Sequence, residues 1–268
     1  MVRRVWFASA LVAACAVGGG ADSGDAGPDA IAPPKDAAAD ASGPADSGAA
    51  DAPVADAPVE TGSGVAVLQV NEVGPNIASS LDLVELLAKT SGDVGGITIE
   101  QDITTKVVLA TLPTLVVSAG DVIIVHLNAG AGVTDESASK TDCADATCFS
   151  GAWDVIGGTT GITFSGRVLL ARGPDAGIQD GVAFYNSSGT SPATFYQQVE
   201  ALQDAGAWLP ASCSGNPCST NGLAQGISAD WAGTGTTKAK SVARTTNQDT
   251  NTASDWAVGA SSFGATNP

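Results

Sequence analysis

The feature that most constrains this chain is a change of composition at Gly64. Between Ala16 and Ser63, 15 Ala, eight Gly, eight Asp and six Pro make up 37 of 48 residues, and no side chain is aromatic. A segment this poor in apolar bulk cannot offset the entropy lost on ordering, so a core has to come from residues 64–268. That length supports one substantial domain. The net charge of −17 argues against a phosphate backbone or an anionic membrane surface as an electrostatic partner, so nucleic acid is not expected.

Residues 1–14 read as a secretory signal. Arg3 and Arg4 precede an apolar run from Val5 to Ala14 that is too short to span a bilayer. The run ends in Leu11-Val12-Ala13-Ala14-Cys15, which resembles the bacterial lipoprotein processing box. That resemblance implies removal of the signal and acylation of Cys15. Two or more acyl chains on one residue are enough for stable anchoring. Ordinary cleavage near Gly20 and Ala21 is the alternative. Ala16 stands where an Asp would resemble an inner-membrane retention signal, so the expected location is the outer membrane or cell surface.

Residues 15–63 then form a tether. The near-repeats Asp51-Ala52-Pro53-Val54 and Asp56-Ala57-Pro58-Val59 favour extension through fixed Pro φ and like-charge repulsion. A flexible chain of this length spans roughly 35 to 40 Å root-mean-square.

From Gly64 the text changes to short β-type runs: 66–73, 81–87, 96–99, 107–109, 115–117, 122–127, 166–170 and 181–185. Gly, Pro and Asn punctuate them. Their number and spacing predict an all-β sandwich. The best helix candidate is Thr194–Leu202. Val70-Asn71-Glu72-Val73, Leu83-Val84-Glu85-Leu86, Gly95 to Ile99, Ala119 to Ile124, Gly166 to Leu170, Ile178 to Val182, and a closing set follow in order. The closing set is Ser241 to Arg244, Asp249 to Asn251, Ser254 to Trp256 and Gly264 to Asn267. This succession resembles the lamin-tail domain. The resemblance implies an immunoglobulin-like β-sandwich over residues 64–268, of the kind found in secreted bacterial proteins. Two insert-like stretches, about 128–160 and 205–238, depart from the family pattern.

Four cysteines sit in those inserts as two C-x4-C pairs, Cys143 with Cys148 and Cys213 with Cys218. In an exported chain they predict two disulfides. Three connectivities are available and local pairing is favoured; a four-thiolate zinc site is the alternative.

Catalytic constellations are sparse, and the chain is read as a non-enzyme. The single histidine, His126, shares a strand face with Val122 and Ile124 and reads as a packed or edge residue rather than a general base. Glu72 and Glu85, or Asp82 and Glu85, are carboxylate pairs of the kind glycoside hydrolysis uses, but they fit turn hydrogen bonding or pairing with Arg244 better. Asn247, Asp249, Asn251 and Asp255 are spaced as weak calcium candidates, and equally as residues that bond turn amides. Asp135, Glu136, Asp142, Asp145 and Asp154 form a second acidic group. Trp153, Trp208 and Trp231 lie in or beside the inserts, as ligand-stacking rings or as plugs over the sandwich ends.

These features predict a membrane-anchored envelope lipoprotein that uses its sandwich as a binding or architectural module, with no cofactor. The expected partners are the membrane, through the lipid, and an unidentified envelope protein or glycan. The alternatives are a hydrolase or carbohydrate-processing accessory with its site in the inserts, and a calcium-dependent adhesin.

Overall fold

Alternating apolar residues broken by Gly, Pro and Asn commit the chain after Gly64 to strands. The computed structural model describes residues 64–268 except 78–80, 129–132, 144, 190, 210–226, 247, 266 and 268. The signal segment 1–14, the tether 15–63 with Cys15, and also Cys213, Cys218 and Asn247 lie outside the described residues. Every described residue belongs to the unit Ala57–Pro268.

In chain order the strands are β1 (Leu68–Gly74), β2 (Asp82–Ala88), β3 (Gly92–Asp93), β4 (Thr98–Gln101), β5 (Val107–Thr111), β6 (Val116–Val117), β7 (Val122–Leu127), β8 (Trp153–Ile156), β9 (Arg167–Arg172), β10 (Ile178–Tyr185), β11 (Ala229–Asp230), β12 (Lys240–Arg244) and β13 (Trp256–Ala260). The helix α1 (Phe195–Asp204) lies between β10 and β11, at the position of the sequence candidate. All eight runs expected as strands are strands, and β3, β8, β11, β12 and β13 are added to them.

The fold is all-β. A six-stranded sheet runs β13-β12-β1-β2-β7-β8, a five-stranded sheet runs β11-β10-β9-β4-β5, and β3 pairs with β6. Leu68, Val70, Val84, Leu86, Ile123 and Val125 from the first sheet share one buried cluster with Ile99, Leu109, Val168, Leu170, Val182 and Phe184 from the second. That cluster is the filling of a sandwich. Helix α1 lays Val199 and Leu202 against β9 and β10. Gly181 makes the approach possible, because a Cβ there would meet Leu202 Cδ1 at 2.5 Å.

Both sequence inserts have a topological cause. The β7–β8 and β10–β11 pairs are parallel. A parallel neighbour cannot be reached by a tight turn and needs a crossover of a dozen or more residues. The first insert is that crossover for β8, and the second ends the crossover to β11.

The outer face of the six-stranded sheet is also covered. Leu83, Leu87, Val122 and Ile124 form a second buried cluster with Ile77, Ala152 and Phe263. A bulge between Val70 and Glu72 resets the alternation of β1. Val70 and Val73 therefore both face the main core, and Glu72 turns outward, directly opposite Glu85.

Candidate functional site

The outer face gathers several of the buried ionisable groups. Strand parity puts His126 of β7 on this face, and the parallel register of β8 brings up Asp154. His126 Nε2 lies 2.5 Å from Asp154 Oδ1, and neither side chain has solvent exposure. A carboxylate only accepts, so Nε2 carries the hydrogen. The other ring nitrogen, Nδ1, is buried without a hydrogen-bond partner.

Backbone amides hold the rest of this cluster. Asp154 Oδ2 accepts the Phe149 N–H at 2.7 Å. The Asp154 N–H donates to Glu136 Oε2 at 2.7 Å, and the Cys143 N–H donates to Glu136 Oε1 at 3.1 Å. The disulfide Cys143–Cys148 closes the loop, with its Cα atoms 6.2 Å apart. Cys148 Sγ, an Asp154 oxygen and a ring nitrogen of His126 all lie within 4.8 Å of one another. Lys238 Nζ sits 5.8 Å from the centre of the Phe149 ring. Burial pushes the Lys238 pKa down, while Asp145 and Asp154 pull it up.

Beside this cluster, Glu72 and Glu85 fasten the C-terminal segment onto the sheet. Glu72 accepts from Ser241 Oγ at 2.5 Å, and from the Ser262 N–H and Oγ at 2.8 and 2.7 Å. Glu85 accepts from Asn71 Nδ2 at 2.7 Å and from the Gly264 N–H at 2.8 Å. Both glutamates are fully buried and these partners are neutral. Burial, with the neighbouring Glu72 charge adding to it, pushes the Glu85 pKa up to about 7.

The expected pairing of these glutamates with Arg244 is corrected by strand parity. Glu72 lies opposite Ala243, so Arg244, one residue on, points to the other side of the sheet. There its Nη2 reaches Asp180 Oδ2 at 3.0 Å, and its Nη1 reaches Asp249 Oδ1 at 2.8 Å and Asp255 Oδ2 at 3.3 Å. Its Nε donates to the Val70 carbonyl at 2.8 Å, and its guanidinium carbon lies 4.8 Å from the Trp256 ring centre. Complete burial pushes the Asp180 pKa up to about 6 against the pull of Arg244.

This hub also accounts for three of the calcium candidates. Asp249 and Asp255 direct oxygens at a guanidinium. Asp255 further accepts from the Thr250 N–H and Oγ1, and Asp249 accepts the Asn251 N–H. Asn251 itself occupies the left-handed region at φ 56°. The loop thus places an arginine where a shared cation would have to sit. The second acidic group is likewise tied to turns. Asp135 accepts the Ile156 N–H, Asp142 the Ser139 N–H and Asp145 the Thr147 N–H. Asp82, paired with Glu85 in the sequence reading, accepts the Ile77 and Ile162 N–H groups instead.

The three tryptophans separate. Trp208 and Trp231 are fully buried, which removes them as surface ligand contacts. Trp208 Nε1 donates to the Ile227 carbonyl at 2.7 Å, and Trp231 stacks on Phe184 at 4.7 Å. Trp153 is only half-buried. Its Nε1 donates to Asp121 Oδ2 at 3.1 Å, and Lys140 Nζ lies 5.8 Å from its ring centre.

Sequence reasoning treated His126 and Asp154 separately and missed their pairing. The available signal was Trp153-Asp154-Val155-Ile156, a short alternating run bounded by Gly151 and Gly157. Asp180 carried no local signal as a partner of Arg244.

Together these features define an all-β sandwich whose first crossover and C-terminal segment are pinned by buried carboxylates. The family model described as "protein second domain" matches residues 66–258, more than half of the chain. The chain belongs to that family. No curated protein matches it.

Proposed function

We propose that this chain is a lipid-anchored lipoprotein of the bacterial cell envelope, displayed on the outer membrane or cell surface. Its lamin-tail-like sandwich acts as a non-catalytic binding or architectural module. One observation carries the reading. The buried carboxylates of the described residues are tied to amides, hydroxyls, or the side chains of Lys106, His126, Arg167, Arg172 and Arg244, so they act as fasteners within the fold. Ahead of them stand a processing-box sequence ending in Cys15 and a tether of 48 residues with no aromatic side chain, the sequence of a display arm.

The contact surface assigned to this role is the β7–β8 crossover. Its Lys140 lies beside the half-buried ring of Trp153, where β8 begins, and Asp121, just ahead of β7, takes the indole N–H. An amphipathic ring flanked by both charge signs suits a protein or a glycan.

In-cell crosslinking and affinity capture test the proposal, with native protein run beside a Cys15→Ser version. One partner or glycan recovered with native protein and lost with Cys15→Ser supports anchored display. Equal recovery with both contradicts it, because Cys15 then does not place the protein.

A further inference from the structure

The cluster around Cys148 has the parts of a tuned thiol. The Asp154 carboxylate holds His126 through Nε2 at 2.5 Å, which leaves Nδ1 as the ring nitrogen free to take up a proton. Cys148 Sγ is within 4.8 Å of both residues. Cys143 and Cys148 are half-buried, so a reductant can approach the disulfide, while His126 and Asp154 are fully buried beneath it. His126 and Asp154 are the titratable groups beside the sulfur; around them Glu136 accepts the Cys143 N–H, and Asp145 and Lys238 interact electrostatically with the His126–Asp154 pair and with each other. An imidazole oriented by a buried carboxylate beside a sulfur is the arrangement that stabilises a thiolate.

We propose that Cys143–Cys148 is a redox-active disulfide, exchanged with a dithiol partner, in which Cys148 is the leaving thiolate held by the His126–Asp154 pair. A thiolate of the dithiol attacks Cys143 Sγ. The S–S bond breaks, and its electron pair leaves on Cys148 Sγ, beside His126. A mixed disulfide then joins Cys143 to the reductant. The second thiolate of the dithiol attacks the reductant sulfur, releasing Cys143, which takes a proton from water. The protein disulfide gains two electrons, and the dithiol is oxidised to its own disulfide. This inference does not depend on the function proposed above.

Site-resolved alkylation of the full-length protein tests it. Dithiothreitol opens the disulfide, iodoacetamide caps the thiols between pH 5 and 9, and peptide mass spectrometry reads Cys143 and Cys148 separately. The expected midpoint for Cys148 is about 6.5, some two units below an ordinary thiol. After allowance for the lower nucleophilicity of a weaker base, Cys148 is capped about tenfold faster than Cys143 at pH 6. His126→Gln brings the two rates together, and Asp154→Asn moves Cys148 in the same direction. Cys143 serves as an internal reference, so the wild-type comparison stands even where a variant does not fold. Equal rates with ordinary midpoints at both cysteines overturn the proposal. So does loss of near-ultraviolet circular dichroism on reduction, because an unfolded loop holds no thiolate against His126.

Discussion

Replacing Glu85 by Gln should abolish a large part of the pH dependence of stability. The Glu85 carboxyl is buried between sheet and C-terminal segment, and burial raises its pKa from 4.5 to about 7. A carboxyl whose folded pKa lies above its unfolded one binds more protons in the folded state between the two values. Stability is therefore fully present below pH 4.5 and is lost as pH rises through 7. The shift corresponds to about 3 kcal/mol in total, of which about 2.5 kcal/mol falls between pH 5 and pH 8. Gln is accommodated, because Asn71 Oδ1 has no partner and a flipped Asn71 amide can accept from it. The Gln oxygen then still receives the Gly264 N–H. Urea unfolding followed by tryptophan fluorescence at pH 5 and pH 8 gives both stabilities for both proteins. Wild type should lose about 2.5 kcal/mol more than Glu85→Gln across that interval. Equal losses would refute the assignment of Glu85 as a carboxyl strained by burial.

Other expectations follow from the same contacts. Arg244→Met removes the counter-charge of Asp180, Asp249 and Asp255 and should cost about 3 to 5 kcal/mol in denaturant unfolding, the range for breaking a buried ion pair. Gly264→Ala meets both φ 81° and the Phe149 Cβ at 2.7 Å, so it should lower stability by about 1 to 3 kcal/mol; an unchanged urea midpoint would contradict the close packing of that strap. Calcium or a chelator should leave Tm within about 1 °C, because Asp249 and Asp255 are directed at Arg244 and a ligand that does not bind the folded state cannot stabilise it.

Much of this architecture was legible because period-two alternation is a local signal. All eight strands read from the sequence are present, and the position of His126 beside Val122 and Ile124 follows from counting along β7. The Arg244 pairing was not legible, since it turns on the bulge between Val70 and Glu72 and on the parity of β12. The His126–Asp154 contact joins residues 28 apart through a parallel pairing that no hairpin signal encodes. Burial of Trp208 and Trp231 depends equally on contacts distant in sequence, with the Ile227 carbonyl and the Phe184 ring. The local pairing favoured for the cysteines holds for Cys143 and Cys148, which lie close together in one loop.

The central claim, a sandwich displayed from a lipid on Cys15, is tested most directly by metabolic labelling with an alkyne-bearing fatty acid, followed by membrane fractionation of the native and Cys15→Ser proteins. The account predicts label and membrane recovery for the native chain, and loss of both on substitution. Label that persists without Cys15, or a native chain that is unlabelled and released, would contradict it.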